Sequence, residues 1–325
     1  MFTLYGRDRC FSNPTHDARM IEDFPPLLKN LPPKTSAAMN SAIRICGDKL
    51  DRGPDWVRRW IAFTVVGDAL AHYGPPGNSL FQFKGGAAIE LRLRRFIAST
   101  PSASRSSMPQ PRATRDLDAA YRGAIEEIEA AVRAALAEPR HNFSFRVVVE
   151  TPDAPFMRRF TIRVAYQETR LGRMQNTPFS SMQLEVSAYE GMHRLPDMVP
   201  AFSLKPFGLE GPDALPCLPL IKQIAQKLHA VTEHLGGDRK NERFRDLVDL
   251  VLLSALEPAS PVLREACLET FEIRGKQPWP PDILADATWL LPMNKLAAEM
   301  GLDITSAEEI VARVRVYVRD IGSAE

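Results

Sequence analysis

Asp116 and Asp118 flank Leu117 at the end of an extended segment, Arg112-Ala113-Thr114-Arg115-Asp116-Leu117-Asp118. Side chains alternate along a strand, so the two carboxylates share one face and Leu117 takes the other. Such a pair repels unless a cation sits between its members, and an all-oxygen donor set suits Mg2+. Upstream, Phe81-Gln82-Phe83-Lys84-Gly85-Gly86-Ala87-Ala88-Ile89-Glu90-Leu91 reads as a short strand over Ser79 to Phe83, a tight double-glycine turn, and a helix over Ala87 to Phe96. Glycines at a strand-to-helix junction let backbone amides approach an anion, and the helix N-terminus adds a favourable dipole. A phosphate cradle followed by a metal-holding acid pair is the equipment for moving a nucleotidyl group. Each piece alone is a weak signal, a plain turn or a solvated strand end; their order carries the weight.

A third acid would complete the metal set. Glu185 lies in the β-type run Met182-Gln183-Leu184-Glu185-Val186-Ser187, and with Leu184 and Val186 in the core it faces the other side. Glu150, which ends Val147-Val148-Val149, is the rival, and an ordinary exposed strand glutamate is the bland reading of Glu185. Lys227 sits in Ile224-Ala225-Gln226-Lys227-Leu228-His229-Ala230 on an amphipathic helix, where a lone lysine is usually solvated. In Arg243-Phe244-Arg245-Asp246-Leu247-Val248-Asp249-Leu250 the two aspartates are three apart on one helical face. That alternation is either a surface salt network or part of a site in which Lys227 neutralises a triphosphate and Asp246 fixes Lys227 or an arginine. Arg92, Arg94, Arg95, Arg105, Arg112 and Arg115 gather around the acids in the sequence, a local excess suited to nucleotide phosphates or an RNA backbone. The six histidines show no ligand spacing, and no Ser-His-Asp or Cys-His set stands out.

Several elements must position these residues. Asp55 to Tyr73 has apolar residues on a helical period and predicts a buried-face helix. Ala119 to Ala137 predicts a helix, and Phe143 to Thr151, Met157 to Ala165 and Met182 to Ala188 predict strands, which favours a mixed sheet over a doubly wound parallel one. After a Pro-rich turn at Pro212 to Pro219 the pattern turns helical. Helices are expected over Leu220 to Leu235 and Glu242 to Leu256, with Gly236-Gly237-Asp238 between them. Pro261 to Arg274, Ile283 to Met300 and Ser306 to Ile321 add three more, the last with a near capping box. Residues 1 to about 37 read as a Pro-rich arm, and Ser99 to Pro111 as a flexible Ser/Pro loop that carries the chain from the double-glycine helix back to the Asp116–Asp118 strand.

The chain has 325 residues, 45% hydrophobic and 25% charged, enough for two domains of ordinary globular character. A net charge of +1 excludes a global field toward nucleic acid or membrane, so any such binding rests on local patches. Cys10, Cys46, Cys217 and Cys267 lack metal-ligand spacing. The first residues lack a signal peptide's apolar core, and Trp60 to Tyr73 is too short and too broken to span a bilayer. The expectation is a reduced, cytoplasmic protein without membrane contact.

The quoted segments together resemble the AbiEii/AbiGii-type toxins of the nucleotidyltransferase superfamily. The resemblance runs through Phe83-Lys84-Gly85-Gly86-Ala87-Ala88, the Asp116–Asp118 segment, Leu184-Glu185-Val186, Gln226-Lys227-Leu228-His229-Ala230 and the Arg243–Leu250 segment. It implies an α+β fold: a nucleotidyltransferase-like mixed β-sheet flanked by helices, with a C-terminal helical domain. Residues 1–75 would be an N-terminal arm and helices, 76–212 the nucleotidyltransferase-like core, and 213–325 the helical domain completing the cleft. It further implies Asp116, Asp118 and Glu185 as ligands of Mg2+, with Lys227 and Asp246 beside them as catalytic residues. Gly85, Gly86, Lys84, Arg115, Lys227 and Arg243 would bind the NTP. The implied activity is transfer of a nucleotidyl group from an NTP to an RNA, tRNA 3′ ends included, or to a protein, by the toxin of a toxin–antitoxin or phage-defence pair with a cognate antitoxin. Ala87 departs from the family, which commonly carries a hydroxyl residue there, so that side-chain contact to phosphate is lost. The alternatives are a non-catalytic RNA-binding module on the same fold, or a metal-dependent phosphohydrolase, against which the lack of histidine clusters argues.

Overall fold

The computed structural model describes residues 31–50, 52–75, 77–100, 109–112, 114–150, 156–170, 173–233 and 241–325. Most of the expected arm, most of the Ser/Pro loop, Cys10, Arg105 and the Gly236-Gly237-Asp238 turn lie outside these residues.

Seven strands form one mixed sheet in the order β3-β4-β5-β2-β1-β7-β6. They are β1 Phe81–Lys84, β2 Asp116–Tyr121, β3 Phe143–Glu150, β4 Met157–Arg170, β5 Arg173–Ala188, β6 Asp197–Pro200 and β7 Ala214–Cys217. β2 lies antiparallel to β1 and parallel to β5, and the β3-β4-β5 meander is antiparallel throughout. Alternation fixes which way each strand turns. Phe160, Ile162 and Val164 on β4, and Met182, Leu184 and Val186 on β5, are buried on one face, which leaves Thr161, Arg163, Gln183 and Glu185 on the other.

Helices α1 Ser36–Lys49, α2 Pro54–Ala71 and α4 Ile128–Ala135 share a core with the buried face. α1 lies where irregular chain was expected at its start; Thr35 caps it by accepting from the Ala38 amide at 3.2 Å. α2 starts with Pro54 in its first turn and is buried almost all round from Trp60 to Leu70, because the sheet lies against it. Gly67 lets it approach: a Cβ there would sit 3.1 Å from the Leu215 side chain.

α3 Gly85–Ser99 joins the two halves of the molecule. Ala87, Ala88 and Leu91 pack with the sheet, while Ile89 and Leu93 pack into a second core. That second core is built by α5 Leu220–Thr232, α6 Phe244–Leu256, α7 Pro261–Arg274, α8 Leu290–Glu299 and α9 Ala307–Gly322. α7 has the bounds read from the sequence, with Ser260 as its cap at 3.3 Å and Gly275 ending it at φ +59°.

Three expectations about elements are corrected. Residues 119–121 continue β2 instead of starting a helix, because β1 and β5 pair with them on both sides and override alanine's helical preference. Ala214–Cys217, inside the expected Pro-rich turn, is a strand that pairs with β1 and β6. The Ile283 to Met300 helix shrinks to Leu290–Glu299, preceded by a 3-10 turn that Asp286 caps through the Thr288 amide at 2.8 Å. No described helix is long and apolar enough to cross a membrane.

Candidate active site

Strand register builds the acidic row. Lys84 on β1 stands opposite Asp118, Asp118 opposite Glu185 on β5, Glu185 opposite Arg159 on β4, and Arg159 opposite Glu150 on β3. Register partners share a face, and neighbouring strands are about 4.8 Å apart. Asp118 and Glu185 are therefore adjacent, whereas Glu150 is three strands from Asp118, roughly 14 Å away. Asp116 lies one rung along β2, on the same face, beside Gln183. Glu150 is occupied elsewhere: it accepts from the Thr161 hydroxyl and from Gln183 Nε2 at 3.0 Å.

The double glycine is sited by the same row. Gly85 has φ +64°, a left-handed conformation that disfavours any side chain, and a Cβ there would fall 1.7 Å from Asp118 Oδ2. The Asp118 carboxylate therefore lies directly against the first residue of α3. Gly86 lies close under Thr114, whose Oγ1 would be 2.8 Å from an added Cβ. Behind the turn, Gln223 Nε2 donates to the Gly85 carbonyl at 2.8 Å, and Gln223 Oε1 accepts from Arg92 at 2.9 Å. Arg92 also donates to the Leu218 carbonyl and Asp197, so it supports the turn from the buried side.

The row carries unneutralised negative charge. Burial, against the pull of Lys84 and with the push of Glu185 and Asp116, raises the Asp118 carboxyl to about 6. Burial and then Glu185 also raise Asp116. Burial lowers the Lys84 ammonium, with Asp118 opposing; its Nζ donates to Ser187 Oγ at 2.7 Å. Carboxylates that resist ionisation beside one another form the donor set a hard divalent cation would relieve, and Asp116, Asp118 and Glu185 fit such an ion by chemistry and by face. Among the described residues no three acidic, His or Cys side chains already stand close enough to hold a metal. Glu185 Oε1 is instead engaged by Arg159, with Nη2 at 2.8 Å and Nε at 2.9 Å.

Across from the sheet, Lys227 on α5 reaches both aspartates of α6. It contacts Asp246 Oδ1 and donates to Asp249 Oδ2 at 2.9 Å. Arg112 closes the network with donors 3.1 and 3.2 Å from the Asp249 oxygens. Burial works against charge on Asp249, yet Lys227 and Arg112 overcome it and hold the carboxyl below its usual range. Lys227 likewise stays high despite burial, through Asp249 and Asp246.

Between the two regions lies a cleft of about 760 Å³. Gly86, Asp116, Asp118 and Asp246 line it, with Arg52, Arg112, Arg115, Arg243 and Arg245 around them. Lys227 stands behind Asp246 and is not among the residues lining the cleft.

The arginine cluster read from the sequence is thus divided. Arg112 and Arg115 face the cleft, Arg92 is a buried support, and Arg94 pairs with Glu90 and stacks over Trp56 and Phe202. Arg52 and Arg245 were missed as cleft residues, and so was Asp249 as the centre of the buried network. The i, i+3 spacing of Asp246 and Asp249 was the one signal for the last; Arg52 carried none, since it arrives from the turn between α1 and α2.

A family model described as "Nucleotidyl transferase AbiEii toxin, Type IV TA system" matches residues 68–313. The fold is similar to that of MenT4, a nucleotidyltransferase toxin from Mycobacterium tuberculosis H37Rv, with a TM-score of 0.54 and 17% identity over 88% of this chain and 90% of that one. A search of curated proteins finds no match. The family match spans well over half of the sequence and includes the strand, double glycine, acid row and Lys–Asp network, so the chain belongs to the nucleotidyl transferase AbiEii toxin family.

Proposed function

We propose that this nucleotidyltransferase toxin uses Mg2+ to transfer a nucleoside monophosphate from an NTP to the 3′ end of an RNA, with tRNA as the first acceptor to test. The reading places it in the cytoplasm, as the toxin of a toxin–antitoxin or phage-defence pair held in check by a cognate antitoxin. The observation that carries it is the adjacency of Asp118 and Glu185 on neighbouring strands, with Asp116 on the same face and the start of α3 against Asp118.

In this reading Asp116, Asp118 and Glu185 would hold the metal, Glu185 in place of its bond to Arg159. When bound, the ion would activate the acceptor hydroxyl and stabilise the leaving pyrophosphate. The chain's own groups do the rest by position and charge. Backbone amides at Gly85 and Gly86 receive the triphosphate on the helix N-terminus. Arg115 and Arg243 line the cleft and neutralise the triphosphate, and Lys84 stands opposite Asp118 with its Nζ donating to Ser187 Oγ. Lys227 acts through Asp246: the ammonium fixes that carboxylate at the cleft wall and takes no exposed place of its own. The acceptor hydroxyl oxygen bonds to the α-phosphorus as its proton passes to solvent, the α–β phosphoanhydride bond breaks, and pyrophosphate leaves.

The test is to incubate purified protein with each α-labelled NTP, Mg2+ and total RNA, and to separate RNA, protein and free nucleotide. Label in RNA that requires Mg2+ and is lost in Asp116→Ala plus Asp118→Ala is the expected outcome. Label released only as free monophosphate would identify a phosphohydrolase, and undiminished incorporation by the double variant would remove the acids from the mechanism.

A further inference from the structure

The face that carries Asp116 and Asp118 does not stop at β5. Following register, the Asp116 rung runs through Gln183 to Thr161, and the next rung outward sets Arg163 on β4 directly opposite Arg146 on β3. The other face of these strands is the packed one, in one core with α1, α2 and α4. Arg146 and Arg163 are both exposed. Like charges directly opposed on antiparallel strands destabilise the pair. Among the described residues no acidic side chain forms an ion pair with either arginine. The two glutamates nearer the acids are already engaged, Glu185 by Arg159 and Glu150 by Thr161 and Gln183. A like-charged pair kept on the same face as the reacting acids calls for an anion to bridge it. From Asp118 to Arg163 the path crosses two strands and four residues, roughly 16 Å. None of these rungs carries an aromatic side chain, so the face has phosphate-binding groups without a platform for stacking bases.

We propose that the open face of β5, β4 and β3 is the acceptor track. Arg163 and Arg146 hold the sugar-phosphate backbone of a nucleic-acid strand whose 3′ end reaches Asp116 and Asp118. The track rests on the transferase reading of those acids, and it makes acceptor binding indifferent to base sequence and sensitive to salt.

The test is filter binding of a labelled single-stranded RNA oligonucleotide across a salt series, with no NTP present. Arg146→Gln plus Arg163→Gln should weaken binding at least about fivefold at low salt, and should reduce the slope of log K against log salt by about 1.4, two contacts at about 0.7 each. Arg44→Gln plus Arg133→Gln makes the same charge change on α1 and α4, behind the packed face, and should stay within about twofold of the parent. Arg146→Lys plus Arg163→Lys should keep most of the binding. Melting temperatures report folding, and the sheet-face glutamine variant should melt no lower than the parent, since a repulsion has been removed. Equal losses in the two glutamine double variants, unchanged binding in the sheet-face one, or label that enters only protein would overturn the track. The outcomes stay separable from the fate of the transferase reading. Normal incorporation into RNA at an unchanged KM in the sheet-face variant loses the track and keeps the reaction. RNA bound through these arginines without incorporation leaves the face and loses the reaction.

Discussion

Two regions of the cleft use the same residue types and reach opposite electrostatic states. On the sheet, Lys84, Asp118, Asp116 and Glu185 leave carboxyl groups raised, Asp118 to about 6. On the helices, Asp249 is bracketed by Lys227 and by Arg112, which reaches across from the segment before β2, and is held low. The difference is one of count and direction. The sheet packs three acids side by side through backbone register, with Lys84 at one end of the row and Arg159 paired with Glu185 at the other. The helical side interleaves two cations with two acids through side chains free to point at one another. A region short of positive charge is equipped to take up a cation; a region that is neutralised internally is equipped to hold a wall in place.

The largest effect should come from the sheet side. Asp116→Asn with Asp118→Asn should cut nucleotide incorporation at least about 1,000-fold while urea unfolding stays cooperative. Activity within tenfold of the parent would dissolve the contrast between the regions. On the helical side, Asp249→Ala leaves Lys227 and Arg112 without their shared carboxylate and should cost about 3–5 kcal/mol of stability, read as a fall in the urea midpoint. A midpoint unchanged within error would mean that the network is not a buried support.

Gly85→Ala tests how the two halves meet. The added Cβ would require both a left-handed φ and space now held by Asp118 Oδ2, so a loss of about 2 kcal/mol together with loss of incorporation is expected. Normal activity in that variant would show that the turn has room to shift.

The smallest effect is the most diagnostic in sign. Asp118 has a folded value above its unfolded one, so its charge opposes folding at pH 7.5; that cost starts to shrink as pH falls through about 6 and is gone only below the unfolded value. Asp118→Asn should therefore stabilise the protein by about 1 kcal/mol at pH 7.5, the loss of a partner for Lys84 keeping the gain small, and by less at pH 5. Asp249 has the opposite sign. Its folded value is depressed, so its contribution is complete above the unfolded value and is lost only as pH falls below that, through the folded one. A stabilising effect of Asp118→Asn that grows on acidification would reverse the reading of the row.

The sequence by itself determined the features that depend on neighbours along the chain. Period-two alternation placed Asp116 and Asp118 on one face with Leu117 in the core, and the apolar strand followed by two glycines and a helix-forming run set out β1 and α3. Ser306 marked the start of α9 by its capping chemistry. Only the tertiary structure decided which glutamate stands next to Asp118, because Glu150 and Glu185 have similar local patterns and differ in strand order and register. It also decided that Arg92 and Arg94 serve packing while Arg52 and Arg245 reach the cleft, and that residues 119–121 and 214–217 are strands. Pairing partners supplied by segments distant in sequence set those outcomes, and local propensity, worth at most about 1 kcal/mol per residue, yields to them.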